Sequence, residues 1–113
     1  MEEKVLDWET FTQVDMRVGT IEEVQEFPEA RNPAYKLKVN FGEEIGIRWS
    51  SAQITLRYTP EDLLGKQIVA VVNFPPKRIA GFKSQCLVLG AVEGKDVVVL
   101  QTSTPVKNGL PIS

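Results

Sequence analysis

Tyr35, Leu37, Val39 and Phe41 alternate strictly with Lys36, Lys38 and Asn40. That period of two predicts a β-strand with one buried and one wetted face, because a helix would scatter the same apolar residues around its axis. A strand of this kind needs a partner. Gly42-Glu43-Glu44 predicts a turn, after which Ile45, Ile47 and Trp49 alternate with Gly46, Arg48 and Ser50 to complete a hairpin. Lys36, Lys38 and Arg48 then occupy polar positions of neighbouring strands and share one outward, cationic face.

Other segments extend the sheet. Val14, Met16 and Val18 alternate until the phase slips at Gly19-Thr20, before Ile21 and Val24. A glycine at a phase slip predicts a bulge or bend, so this first strand turns a corner and serves two sheets. Asp7 is placed to cap a helical turn over 7–13 that carries Trp8 and Phe11, with Trp8 in a core or an interface. Pro28 to Pro33 is a polar loop. Thr59, Pro60, two acids and Gly65 predict a second short helical turn that plugs the core with Leu63 and Leu64.

Ile68 to Val72 shows no alternation, as in a strand buried on both sides, and Cys86 to Val92 reads the same way. Glu93-Gly94-Lys95-Asp96 turns into Val97 to Leu100. The tail, residues 103–113, holds Val106, Leu110 and Ile112 and docks either on its own barrel or on a second subunit. The fold class is all-β: a small five-stranded Greek-key barrel of the OB type, with short helices and extra terminal strands or a tail. An SH3-like barrel competes, since periodicity does not set strand order. With 113 residues the chain makes one domain, its barrel over 14–102.

Hydrophobic residues make up 42% and charged residues 25%, which excludes a disordered chain. No apolar run nears the roughly 20 residues that cross a bilayer, and Met1-Glu2-Glu3-Lys4 is unlike a signal sequence, so membrane insertion is not expected and the expected location is cytoplasmic. Cys86, the single cysteine, reads as a small core residue. The absence of histidine removes the commonest general base and metal ligand, and neither a phosphate loop nor a nucleophile elbow occurs. The reading is a binding protein and not an enzyme, with no catalytic residue, no metal and no cofactor.

The candidate binding element is Asn73-Phe74-Pro75-Pro76-Lys77-Arg78-Ile79-Ala80-Gly81-Phe82-Lys83-Ser84. Two prolines end the preceding strand and pre-order the path, and three cations, a glycine and an aromatic follow within it. The net charge of −2 hides an asymmetry. Residues 1–30 hold nine acids and two bases, giving −7, and residues 31–113 hold six acids and eleven bases, giving +5. A basic face is therefore available on an acidic chain.

Phe11, Val14, Asp15-Met16-Arg17-Val18-Gly19, Lys36-Leu37, Gly42, Leu64-Gly65-Lys66, Asn73, Gly81 and Ser84 resemble the tRNA-binding OB module carried by some aminoacyl-tRNA synthetases and their accessory factors. Trp49-Ser50-Ser51-Ala52-Gln53-Ile54-Thr55 and the 73–84 stretch are similar to its stand-alone CsaA group. That resemblance spans about residue 7 to 113. It implies a homodimeric protein-export chaperone that binds unfolded preprotein or peptide segments and the export motor ATPase. The wider family implies recognition of tRNA by shape, and this sequence differs from the RNA-binding members in being net acidic and in having Ser51-Ala52 where they have Ser-Gly.

Two site readings follow. In a peptide-binding pocket, Phe74, Pro75, Ile79, Phe82 and Trp49 form apolar walls, Asn73 and Gln53 pair with the peptide backbone, and Ser84 lies beside them. Lys77 and Arg78 sit at the rim. In an RNA-binding face, Lys36, Lys38, Arg48, Lys77, Arg78 and Lys83 contact phosphates, and Phe82 or Tyr35 offers a stacking surface.

Overall fold

The structure, a computed structural model, describes residues 3–113, so Met1 and Glu2 of the acidic N-terminal stretch lie outside the described residues. Its elements in chain order are α1 (Trp8–Thr12), β1 (Met16–Glu26), β2 (Tyr35–Asn40), α2 (Gly42–Ile45), β3 (Ile47–Ala52), α3 (Pro60–Leu63), β4 (Gln67–Val71), β5 (Lys77–Ile79), β6 (Phe82–Ser84), β7 (Leu87–Val88), β8 (Gly90–Glu93) and β9 (Asp96–Val99). Five strands form one antiparallel sheet in the order β3-β2-β1-β4-β7. β4 lies beside β1 and not beside β3, so the chain crosses over after β3, with α3 in the crossover. The sheet curls into a nearly closed barrel, the OB arrangement and not the SH3-like one.

β1 reaches around the barrel because its two ends have different partners. Met16 to Thr20 pair with β4, and Thr20 to Glu26 pair with β2. Both partners belong to one curled sheet, which corrects the expectation of two. The irregularity falls between Ile21 and Glu23, not at Gly19-Thr20. Gly19 has another role: a Cβ there would stand 2.6 Å from Val39 Cγ1 and 2.7 Å from the Phe41 ring. It is small so that the β2 side chains can fill the core.

Leu37, Val39, Phe41, Leu63, Ile68 and Ala70 are fully buried in that core. β4 is buried from Ile68 to Val71, as its unbroken apolar run predicts. Thr59 and Asp62 form a capping box around Pro60 at the start of α3. Leu63 plugs the core, but Leu64 is exposed, because one helical turn presents only one of two adjacent residues inward. Asp7 caps α1 by accepting from the Thr10 N–H at 2.7 Å, which holds its carboxyl below the ordinary value. Trp8 meets Phe11 at 5.5 Å with the rings tilted by 42° and is 71% exposed, so it is not a core residue.

The run from Cys86 to Val92 is not one buried strand. It divides into β7 and β8, and Leu87 and Val92 are exposed. The tail docks on its own barrel along the open edge of β1. Gly109 N donates to Val18 O, Val18 N to Leu110 O and Ile112 N to Met16 O. Arg17 locks it there, donating to Asp15 Oδ1 at 2.6 Å, Glu44 Oε1 at 2.9 Å and the Gly109 carbonyl at 3.1 Å.

Candidate binding groove

The orientation of β3 sets the site, and it is the reverse of the expected one. The connection after β2 is the helical turn α2 followed by Gly46 at φ +81°, which places Ser50 opposite Leu37, Arg48 opposite Val39 and Trp49 opposite Lys38. Ser50 and Ala52 therefore point inward and Ile47 is exposed. A single-residue change of phase moves every side chain of a strand to its other face. Arg48 consequently does not share the face of Lys36 and Lys38; it donates to the Val72 carbonyl. The Ser50 hydroxyl, inside the barrel, donates to the Cys86 carbonyl at 2.9 Å.

The 73–84 stretch contains a two-stranded ribbon, β5 and β6, turning at Ala80 and Gly81 with φ values of +47° and +80°. Two successive positive φ angles match the two-residue turns that suit a twisted ribbon, at a conformational cost for Ala80 that a glycine would avoid. The ribbon is tied to β3 by one main-chain bond and two side-chain bonds. Gln85 N donates to Trp49 O at 2.7 Å, Trp49 N to Gln85 Oε1 at 3.0 Å and Ser51 N to Ser84 Oγ at 3.0 Å.

Cross-strand pairing separates the ribbon faces. Lys77 opposite Ser84 and Ile79 opposite Phe82 form the face toward the barrel. Phe82 meets Trp49 edge-on at 6.2 Å and Phe27 at 5.4 Å. Lys36 Nζ lies 4.7 Å from the Phe27 ring centre and 5.2 Å from that of Phe82, within the range of a cation–π contact. Arg78 stands directly opposite Lys83 on the outer face. Two like charges in this position oppose ribbon formation.

Between ribbon and barrel lies a cavity of about 470 Å³. Of the candidate pocket residues, Gln53, Phe74, Pro75, Ile79 and Ser84 line it, together with Lys77. Trp49 and Phe82 are not in its lining; they hold the ribbon from the neighbouring side. Asn73 is also outside it, because Nδ2 donates to Gln13 O at 2.7 Å and Oδ1 accepts from Asp15 N at 3.0 Å. Tyr35 offers no stacking face, being buried with its hydroxyl donating to Tyr58 O at 2.7 Å. Ile54, Cys86, Leu87, Val88 and Val97 complete the apolar lining. Apart from Ile54, they belong to apolar runs that a sequence reading assigns to the core, so no local signal marks them.

Comparison with known proteins agrees with this architecture. The crystal structure of chaperone CsaA from Bacillus anthracis str. Ames superposes with a TM-score of 0.92 at 57% identity, over 97% of this chain and 100% of that one. CsaA chaperone protein from Picrophilus torridus gives 0.91 at 49% identity, over 96% and 100%. Residues 16–111 match the family described as "Putative tRNA binding domain". The chain belongs to this tRNA-binding-domain family, in its CsaA branch. Methionine–tRNA ligase of Pyrococcus furiosus is 37% identical over 107 residues. That match covers 95% of this CsaA-branch chain but only 14% of the ligase.

Proposed function

We propose that this CsaA-branch chain is a non-catalytic chaperone of protein export, one domain that holds unfolded preprotein segments in the cavity between the ribbon and β3. The observation that carries the reading is the composition of that cavity. Phe74, Pro75, Ile79 and Leu87 offer apolar contacts, and Gln53, Ser51 and Ser84 surround them with groups able to hydrogen-bond an extended backbone. Lys77 sits at its margin for an acidic side chain. The chaperone names of the two CsaA structures support the same reading. The proposal includes work in the cytoplasm, delivery to the export motor ATPase, and a homodimer that doubles the groove, with the exposed Val5, Leu6 and Trp8 available to a second subunit.

A second reading, recognition of tRNA by shape, is favoured by one observation. Arg78 and Lys83 face each other across the ribbon with, among the described residues, no acid bonded to either, a cost that a bound phosphate would offset. Fluorescence anisotropy with a labelled unfolded peptide and with labelled tRNA, each at low and physiological salt, separates the two. Peptide binding that survives salt while tRNA binding is lost supports the chaperone. Tight tRNA binding without peptide binding overturns it.

A further inference from the structure

A second cavity of about 620 Å³ adjoins the first, walled by Pro33, Thr55, Leu56, Val92 and Lys95. Gln53 and Val97 line both, so the two cavities meet at the segment after β3 and the start of β9. Leu56 and Val92 are 68% and 70% exposed. Folding leaves these large apolar side chains in water on a shared cavity wall, a placement that marks a contact surface and not scattered surface residues.

Charge and hydrogen-bonding capacity describe the occupant. The chain has fifteen acidic residues, yet among the described residues no acidic side chain lines either cavity, and each cavity contains one lysine, Lys77 or Lys95. Gln53, exposed where the cavities meet, carries two donors and an acceptor. A helix has already satisfied its own backbone and has no use for that amide, whereas an extended chain presents free N–H and C=O groups along its length. We propose that the two cavities form one trough, which seats one extended peptide segment with apolar residues at alternate positions and a carboxylate for each lysine. Its apolar residues rest against Phe74 and Ile79 at one end and against Leu56 and Val92 at the other, and Gln53 pairs with its backbone between them. The inference rests on the peptide-binding reading above and specifies the substrate of that site.

The test uses the full chain and a fluorescein-labelled dodecapeptide of alternating leucine and serine, made with an aspartate or with a lysine at each end. Phe74→Ala perturbs the first cavity, and Leu56→Ala and Lys95→Glu the second; all three positions are exposed, and unfolding curves check that the variants fold. Phe74→Ala and Leu56→Ala are each expected to weaken the aspartate-ended peptide about fivefold. Lys95→Glu should weaken the aspartate-ended peptide and spare the lysine-ended one. If Phe74→Ala weakens binding while Leu56→Ala and Lys95→Glu match the wild type, the trough is wrong and the first cavity alone binds peptide. If no peptide binds, or Phe74→Ala has no effect, the peptide-binding reading itself fails. Binding of a dodecauridylate that Leu56→Ala weakens, with no peptide binding, would assign the trough to RNA and overturn the proposal.

Discussion

Gln85 holds Trp49 at both of its backbone groups: its main-chain N–H donates to the Trp49 carbonyl at 2.7 Å, and its side-chain Oε1 accepts from the Trp49 N–H at 3.0 Å. This pair joins the β5–β6 ribbon to the edge of β3. Gln85→Ala removes the acceptor and leaves the Trp49 N–H without its partner. The expected loss is about 1–2 kcal/mol of stability by denaturant unfolding, with faster exchange of the Trp49 amide. Unchanged exchange would show that the ribbon is held by other contacts.

Gly19 marks a tight point of the core. The Cβ of Gly19→Ala would sit 2.6 Å from Val39 and 2.7 Å from Phe41, overpacking that costs about 1–3 kcal/mol. Because the backbone there is ordinary, Val39→Ala in the same chain should recover part of the loss. A thermal melt of the single and double variants measures both.

The opposition of Arg78 and Lys83 predicts a division between stability and binding. Lys83→Glu converts a repulsive pair into an attractive one and should stabilise the ribbon by about 0.2–1 kcal/mol. If anionic ligands use this face, the same change weakens tRNA binding and lowers its salt dependence. Peptide affinity should fall more in Phe82→Ala than in Lys83→Ala, since Phe82 packs on Trp49 and Phe27 and keeps the groove wall in place. Equal effects of those two changes on the peptide would sink the pocket.

Burial pushes the Cys86 thiol up to about 11 from its ordinary 9.0. The folded protein thus keeps the thiol neutral at pH values where the unfolded chain ionises. Its contribution is complete below about pH 9 and is lost as the pH rises toward 11, at about 1.4 kcal/mol per pH unit. The stability difference between wild type and Cys86→Ala should shrink over that window and stay flat below it. Native Cys86 should also react slowly with iodoacetamide at pH 8, and rapidly once the protein is unfolded.

Sedimentation tests the proposed homodimer. Two subunits are expected at micromolar concentration, with weaker assembly in Trp8→Ala, because Trp8 is exposed and joins no core contact. The tail is a poor target for this purpose, since its hydrogen bonds to Met16 and Val18 stabilise its own barrel. A wild-type monomer would refute the dimer.

Much of this molecule was legible from local pattern. The alternation at 35–41 marked β2, the proline-capped turn marked α3, and the unbroken run at 68–72 marked a two-sided buried strand. The 73–84 stretch stood out as the candidate binding element, and Gln53, Phe74, Pro75, Ile79, Ser84 and Lys77 meet at one cavity. The misplaced residues have specific reasons. Arg48 faces the other way because α2 changes the phase of β3. Asn73 is occupied by the backbone of residues 13 and 15. Leu56 and Val92 carry no sequence mark, since an exposed apolar residue has the same letter as a buried one.

Residue order alone determined which segments extend, which turn and which cap, because periodicity, proline and glycine act within a few bonds of themselves. Only the tertiary structure decided which face of β3 looks outward and which apolar residues line a groove instead of a core. Those outcomes depend on register and on partners as distant as Gln85, 36 positions from Trp49, and no local preference encodes a contact of that range.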